Sequence, residues 1–497
     1  MDNASSARLT RADAHDWKSD FFLWIPLLLA SWRLAWQFQD PFISDWDGFD
    51  YTVYAVQNLP SQLGLGRTLF LAYNHLLWEI AHRVFHMPLE QAYLVFRFGV
   101  IAQSGPATVG VYALCKELTA SRVAALCGAA IIAFSPFFIT YSGRVMSEIP
   151  AFLLLAWALW WMFRCLRVGK TTSFLLAAAL IGVSANLREF AIFYLWVIPF
   201  AARSFGRSWR IGFLAAGLAG LGAISGMALW ALFQPDYYLR ELFKWWKLSA
   251  RERQIHRVTA DNFRFLRTFS YQCSCVATLV APFALAWLWR KRDLRALWFV
   301  GLAGLFADLA LLLNHDLPVN PRYLLTGLLG LAAVSGWGMA ELIKWRIDVA
   351  GGVLIILAFL SVGIYIRLGK ENYDSAWNAR ASRAFLSRIE YLPSDSVFIA
   401  GTRTPLINFY VGLGARPHWD AIQPGAGWPD QDLDKVIDGH IAAGRPVYVD
   451  FNRDLWLIGE RRARREEIGL EMIRRKYQLE LLHDEFYQIV QRRRPSR

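Results

Sequence analysis

Phe38–Tyr54 reads FQDPFISDWDGFDYTVY, with Asp40, Asp45, Asp47 and Asp50 inside eleven residues and Phe42, Trp46, Phe49, Tyr51 and Tyr54 set among them. Taken alone, this is a solvated acidic loop. Beside a bilayer the same residues divide differently, the aromatics at headgroup level and the acids towards water or a cleft. The flanking sequence decides between the two. Residues 1–20 are polar and mixed in charge, and Phe21–Phe38 is apolar with no small-residue cleavage site after it, so this run reads as a retained first membrane span.

Composition extends that reading to the whole chain. A length of 497 residues would suit two or three soluble domains. However, 55% of the residues are hydrophobic and only 19% charged, with 23 Trp and 34 Phe, which calls for many membrane spans. The net charge of +13 raises nucleic acid as a partner. The basic residues lie mostly between apolar runs, where they orient helices in a bilayer, and no nucleic-acid partner is expected. Cys115, Cys127, Cys165, Cys273 and Cys275 show no zinc or disulfide spacing. There is no Walker A sequence and no G-x-G-x-x-G after a strand.

Eleven apolar runs long enough to be candidate spans occur at 21–38, 91–115, 122–141, 146–163, 173–187, 190–202, 211–233, 274–289, 296–313, 323–343 and 349–367. Two of them, 173–187 and 190–202, are short, and one long helix competes with the pair. Loop charge favours two spans. With eleven, the basic loops Lys116–Arg122, Arg164–Lys170, Arg203–Arg210, Arg290–Arg295 and Lys344–Arg346 share one side, as cytoplasmic loops should. The N-terminus is then inside and the C-terminus outside.

The outer side receives a long first loop, 39–90, in which Tyr51–Leu63 and Thr68–Phe85 read as amphipathic interfacial helices. The outer loop 234–272 is basic, with Lys244, Lys247 and Arg251 among aromatics. Either a long translocated loop escapes the charge rule, or it forms an anion site at the membrane surface. Beyond residue 370 the pattern changes. Ser396–Ala400 and Pro446–Phe451 read as buried strands, Leu455–Arg475 as a charged helix, and Gln478–His483 and Tyr487–Gln491 as closing strands. The expected organisation is a cytoplasmic segment at 1–20, a polytopic α-helical domain at 21–370 and a small extracytoplasmic α/β domain at 371–497.

Charged groups near hydrocarbon are costly and tend to mark sites. On the outer side these are Asp45 and Asp47, Glu148, Arg188 with Glu189, the basic loop and Arg322. Acids and arginines meeting at one interface suit transfer from a lipid-linked phosphosugar: a carboxylate takes the proton of an attacking hydroxyl, and cations stabilise the departing phosphate. Each residue also has a plainer role. Asp45 or Asp47 could cap Tyr51–Leu63. Glu148 could pair with Arg144 one turn away, an exposed contact worth about 0.3–0.5 kcal/mol. Arg188 could neutralise Glu189, and Arg322 could snorkel to the interface. His75, His82 and His86 follow near-helical spacing and read as interfacial, not as a metal site.

The run Ala133–Ala151, AFSPFFITYSGRVMSEIPA, resembles the junction between the third and fourth spans of the GT-C superfamily, in particular the bacterial protein O-mannosyltransferase and aminoarabinose-transferase group. The acidic pair after the first span, the turn Asn186-Leu187-Arg188-Glu189, the Pro321-Arg322-Tyr323 entry to a late span and an eleven-span body with an outer C-terminal domain are similar too. The resemblance covers most of 20–370 and fades in the tail. It implies an inverting transfer from a polyprenyl-phosphate sugar to a lipid, glycan or protein acceptor, at the periplasmic face of a bacterial inner membrane. It makes Asp47 or Asp45 the base and gives Glu148 an orienting role. Arg188 and Arg322 fall near the donor phosphate, with Lys244, Lys247 and Arg251 of the basic loop as further candidates. Arg188 stands where related sequences often carry Lys, and its donor geometry differs. No cofactor is certain, a divalent metal being an open possibility. Two other classes compete. One is a transporter or flippase of a lipid-linked glycan, kept in view by Arg33 and Arg97 within apolar runs but without the matching halves such proteins show. The other, a membrane scaffold, leaves the acids unexplained.

Overall fold

A computed structural model describes residues 17–39, 46–59, 67–233, 240, 269–314, 321–349, 351–352, 380, 382–400, 403–422, 433–451 and 460–493. Asp45, Lys244, Lys247, Arg251, the side chain of Arg322 and nearly all of the run 349–367 lie outside the described residues. The chain forms two compact units. One comprises Met1–Asp40, Asn58–Glu79 and Leu94–Asn372, the other Pro41–Gln57, Ile80–Tyr93 and Tyr373–Arg497.

The first unit is helical. Among the described residues, helices stand at ten of the expected runs. By length and composition, Leu89–Thr119, Glu148–Val168, Trp209–Gly226 and Leu325–Trp345 can cross a membrane. Arg122–Ala133 and Pro136–Ser142 make a fifth if counted together, although they bend by 60°. The bend has a local cause. Ser135 caps the second piece by accepting from the Phe138 amide, and Pro136 follows at the first helical position. The short runs at 173–187 and 190–202 are separate elements. Thr171–Ser184 is a 14-residue helix, whereas 190–202 divides into a 3-10 turn at Glu189–Tyr194 and the helix Val197–Ser204. The count of eleven spans therefore stays an expectation.

Helix contacts in this unit rely on small residues, as expected where lipid supplies no hydrophobic drive between helices. A Cβ on Gly182 would lie 1.8 Å from the Ala219 carbonyl oxygen, so Thr171–Ser184 and Trp209–Phe233 meet backbone to backbone. Tyr194 pins its 3-10 turn to Leu325–Trp345: its hydroxyl donates to the Thr326 carbonyl at 2.8 Å and accepts from the Gly330 amide at 3.0 Å.

At one end of the helical unit two of the basic loops meet buried acids. Asp20, fully buried, pairs with Lys116 at 3.0 Å and Arg122 at 2.6 Å and accepts from the Tyr112 hydroxyl at 3.0 Å. Burial opposes its ionisation, but these donors outweigh burial and hold the carboxyl below the ordinary range. Beside it, Glu117 pairs with Arg167 at 2.6 Å and Arg164 at 3.7 Å, tying two of the basic loops together.

The second unit is built on a five-stranded sheet of order β2-β1-β3-β5-β4: β1 Val397–Ile399, β2 Asp420–Ile422, β3 Val447–Asp450, β4 Tyr477–His483 and β5 Phe486–Arg492. β1 runs parallel to β2 and β3, while β3/β5 and β4/β5 are antiparallel. Both faces of the centre are covered, which is why its strands read as apolar runs without alternation. Val397, Ile399, Val447 and Val449 pack with Ile437, Leu470, Ile473 and Tyr477. On the opposite face the rings of Phe398, Tyr448 and Phe486 stack in series, and Phe385 packs edge-on to Phe486. The expected strands and charged helix are present, the helix as Glu460–Lys476. β2 and the helices Thr404–Gly412 and Leu433–Ala442 are additions.

The first-loop helix starts earlier than expected, at Trp46–Val56 rather than Tyr51–Leu63. Acids in a first turn complement the helix dipole, so Asp47 belongs to the helix and not to a loop before it. Within the second unit this helix packs on Thr404–Gly412. The rings of Phe49 and Phe409 lie 5.1 Å apart, the Gln57 amide donates to the Gly412 carbonyl, and a Cβ on Gly412 would come within 2.8 Å of Val53.

Candidate functional site

In the helical unit, Glu148 is the first residue of Glu148–Val168, where the partial positive charge of the helix end favours a carboxylate. It is 5% exposed, and its partner is Arg188, Nη2 to Oε1 3.4 Å. The plainer alternative for Glu148, an exposed pair with Arg144, does not describe this contact. The contact is buried and joins two distant segments, and Arg144 lies over the Tyr141 ring.

Arg188 is 2% exposed and adopts an extended backbone just before the Glu189–Tyr194 turn. Its guanidinium stands 4.2 Å from the Tyr323 ring centroid and 5.6 Å from that of Phe190, and the two rings lie 5.2 Å apart. Arg188 is thus held by Glu148, Tyr323 and Phe190 together. Its turn is fixed by Asn186, which donates to the Gly222 carbonyl at 2.7 Å and accepts from the Gly226 amide at 2.9 Å, both on Trp209–Phe233. The motif Asn-Leu-Arg-Glu therefore has a division of labour: Asn186 anchors and Arg188 presents charge.

Tyr323 is the residue that sequence reasoning passed over in Pro321-Arg322-Tyr323. It reads as an ordinary interfacial aromatic, and only the fold brings it to Arg188. A second omission is Asp308 on Arg295–Asn314. It is 2% exposed, and among the described residues neither carboxyl oxygen has a hydrogen-bond partner. A carboxylate inside the apolar run 296–313 is itself a signal, because charge there is rare.

In the second unit, Asp47 lies in the first turn of Trp46–Val56 and is half-buried. Asp50 follows at i+3 and Tyr54 at i+7, so the three share one helix face. Among the described residues no three His, Cys, Asp or Glu side chains converge as a metal set, and none is assigned to a metal. His82 makes a 2.8 Å bond between Nδ1 and the Met87 carbonyl, closing its helix end. Each unit thus carries part of the expected set, Glu148 and Arg188 in one and Asp47 in the other.

Residues 75–230 match the family model described as dolichyl-phosphate-mannose-protein mannosyltransferase. No curated protein matches the chain. Among solved structures, ArnT from Cupriavidus metallidurans bound to undecaprenyl phosphate aligns with a TM-score of 0.55 at 10% identity, over 96% of this chain and 99% of that one. The archaeal oligosaccharyltransferase AglB from Archaeoglobus fulgidus, in complex with an inhibitory peptide and a dolichol-phosphate, aligns with a TM-score of 0.51 at 12% identity, over 88% of this chain and 70% of its own. The oligosaccharyltransferase of the same organism with zinc and sulfate gives 0.51 at 13% identity, over 85% and 68%. The chain has the fold of the GT-C glycosyltransferases, a multi-pass membrane class. The glycosyltransferase expectation drawn from Ala133–Ala151 and the first-loop acids is met by the matched segment and the fold together.

Proposed function

We propose that the protein transfers a sugar from a polyprenyl-phosphate donor to an acceptor hydroxyl at the outer face of a bacterial inner membrane, with inversion at the anomeric carbon. The N-terminus lies in the cytoplasm and the tail in the periplasm. A first-loop acid, Asp47 or its neighbour Asp45, takes the proton from the acceptor hydroxyl. The acceptor oxygen bonds to the anomeric carbon as the bond from that carbon to the phosphate oxygen breaks, and polyprenyl phosphate leaves with the electron pair. Arg188 stabilises the charge that develops on this phosphate, with Arg322, Lys244, Lys247 and Arg251 as further cations. Glu148 orients the guanidinium, and Tyr323 and Phe190 fix its plane.

The observation that carries this reading is the buried Glu148–Arg188 pair stacked on Tyr323, in a chain that aligns end to end with a protein solved on undecaprenyl phosphate. The donor lipid is assigned by analogy with that neighbour's ligand.

The test uses purified full-length protein, membrane extract as acceptor and radiolabelled undecaprenyl-phosphate mannose or undecaprenyl-phosphate aminoarabinose as donor. Label should move to acceptor with the wild type and fall sharply with Asp47→Asn or Asp45→Asn at equal protein level. Undiminished transfer by both variants would remove these acids as base, and no transfer from either donor would count against the donor assignment. A reporter fused after the tail should be active only outside the cytoplasm.

A further inference from the structure

The cleft between Trp46–Val56 and Thr404–Gly412, wholly within the second unit, encloses about 240 Å³. Phe49, Asp50 and Tyr54 line it from the first helix, and Thr404, Asn408 and Phe409 from the second. We infer that it seats a sugar ring of the acceptor next to Asp47, an assignment that rests on the transferase reading above.

Three features select a saccharide. The cleft is smaller than the roughly 300–1,000 Å³ of drug-sized pockets, so it suits a single ring and not a polyprenyl chain. Its wall joins the half-buried Tyr54 ring, Val53 and Pro405 to the Asp50 carboxylate and the Asn408 amide, over a floor made by Thr404 and the packed rings of Phe49 and Phe409. A pyranose meets that pattern with a C–H face of the ring against Tyr54 and its hydroxyls donating to Asp50 and exchanging hydrogen bonds with Asn408. Among the described residues the wall holds one carboxylate and no cation, which disfavours a phosphate.

The cleft lies on the helix that follows the carboxyl end of the sheet, beside the crevice between its diverging strands. Thr404–Gly412 follows the carboxyl end of β1. The chain leaving β1 crosses towards β2, and the chain leaving β3 turns the other way, towards β4 and β5. The space beyond two such diverging strands is where open α/β sheets bind ligands. Here the crevice is braced by Arg403, which pairs with Asp450 at the end of β3 at 2.5 Å and lies over the Phe385 ring at 5.0 Å. That brace fixes the start of the helix that carries Thr404 and Asn408. On the opposite helix, Asp47 precedes Asp50 by one turn, about 5 Å along the axis. Asp47 is not in the lining itself but stands on the same helix face, and a hydroxyl of the held ring is directed towards it in the proposed complex.

The test measures binding of methyl glycosides of glucose, galactose, mannose and N-acetylglucosamine to full-length protein in detergent, by saturation-transfer NMR. At least one should bind saturably. Asn408→Trp, at an exposed position where the fold tolerates a ring, should weaken that binding about tenfold or more by filling the cleft, and Asp50→Asn should weaken it by losing the acceptor for ring hydroxyls. Asp47→Asn should bind normally while losing turnover, and Asn408→Trp should raise the acceptor KM more than it lowers kcat. Absence of glycoside binding, or wild-type binding by Asn408→Trp, would overturn the assignment. So would competition by a Ser/Thr peptide but by no glycoside. If Asp47→Asn abolishes transfer while Asn408→Trp leaves the acceptor KM untouched, the transferase stands and the cleft assignment falls. If glycosides bind in the cleft but no lipid donor supports transfer, the transferase reading falls and the cleft remains a saccharide site.

Discussion

Arg188 and Glu148 were both visible in the sequence, because an acid and an arginine bordering apolar runs stand out. Their partnership was not. Sequence proximity offered Arg144 to Glu148 and Glu189 to Arg188, and an exposed pair of that kind is nearly free to break. Buried, the pair is another matter: removing one partner strands a charge, at a cost of about 3–5 kcal/mol. Arg188→Ala should therefore destabilise the detergent-solubilised protein by about that amount, measured as loss of thermal or SDS resistance. The double variant Glu148→Gln with Arg188→Met should lose much less than the sum of the two single changes. Additive losses would mean that the two side chains act separately. Asp20 gives a second residue-scale test, through pH. Its carboxyl is held below the ordinary range in the folded chain, so its ionised form stabilises the fold above the unfolded carboxylate value near about 4, and that contribution fades as pH falls through the folded value. The stability gap between wild type and Asp20→Asn should be constant at neutral pH and close on acidification below about pH 4. A gap that widens with acid would contradict the Lys116–Arg122–Tyr112 cluster as its cause.

At the scale of elements, the apolar runs predicted where helices form but not where they break. The bend at Ser135–Pro136 and the 3-10 turn before Val197–Ser204 depend on local capping and on which backbone groups a neighbour satisfies, whereas hydropathy averages over both. The shift of the first-loop helix has a similar origin: Asp47 and Asp50 look like loop residues until their place in the first turns is known. Helix contacts made through glycine were also hidden, since they require two segments to be brought together. Gly327 is a case that can be tested with its partner. A Cβ there would lie 2.1 Å from Asp308 Oδ1, and with Gly301, Gly304 and Gly330 this position lets the helices Arg295–Asn314 and Leu325–Trp345 approach closely. Gly327→Ala should cost about 1–3 kcal/mol by overpacking, and Asp308→Ala in the same chain should recover most of it. Equal instability of the single and double variants in a thermal melt would place the strain elsewhere. If Asp308→Ala alone abolishes transfer without loss of stability, the buried carboxylate has a role beyond packing.

At the scale of the molecule, the α/β tail was legible because its central strands are covered on both faces and therefore read as unbroken apolar runs. Its edge strand Asp420–Ile422 is only three residues long and carries no such pattern. What no local pattern could reveal is that the second unit takes Pro41–Gln57 and Ile80–Tyr93 from the stretch that follows the first expected span. The helix that bears the proposed base is thereby packed on a helix more than three hundred positions later, through Phe49, Val53 and Gln57 against Phe409 and Gly412. Tail and base should then be coupled. A chain ending at Asn372 should expose 46–57 to limited proteolysis in detergent, at sites that resist cleavage in the full-length protein. Phe409→Ala should act in the same direction through a deficit of about 3–5 kcal/mol in packing, and both variants should lose turnover while Glu148 and Arg188 are unchanged. Equal resistance of the truncated and full-length chains over 46–57 would mean that the tail is not what holds this helix, and the base would then need another support.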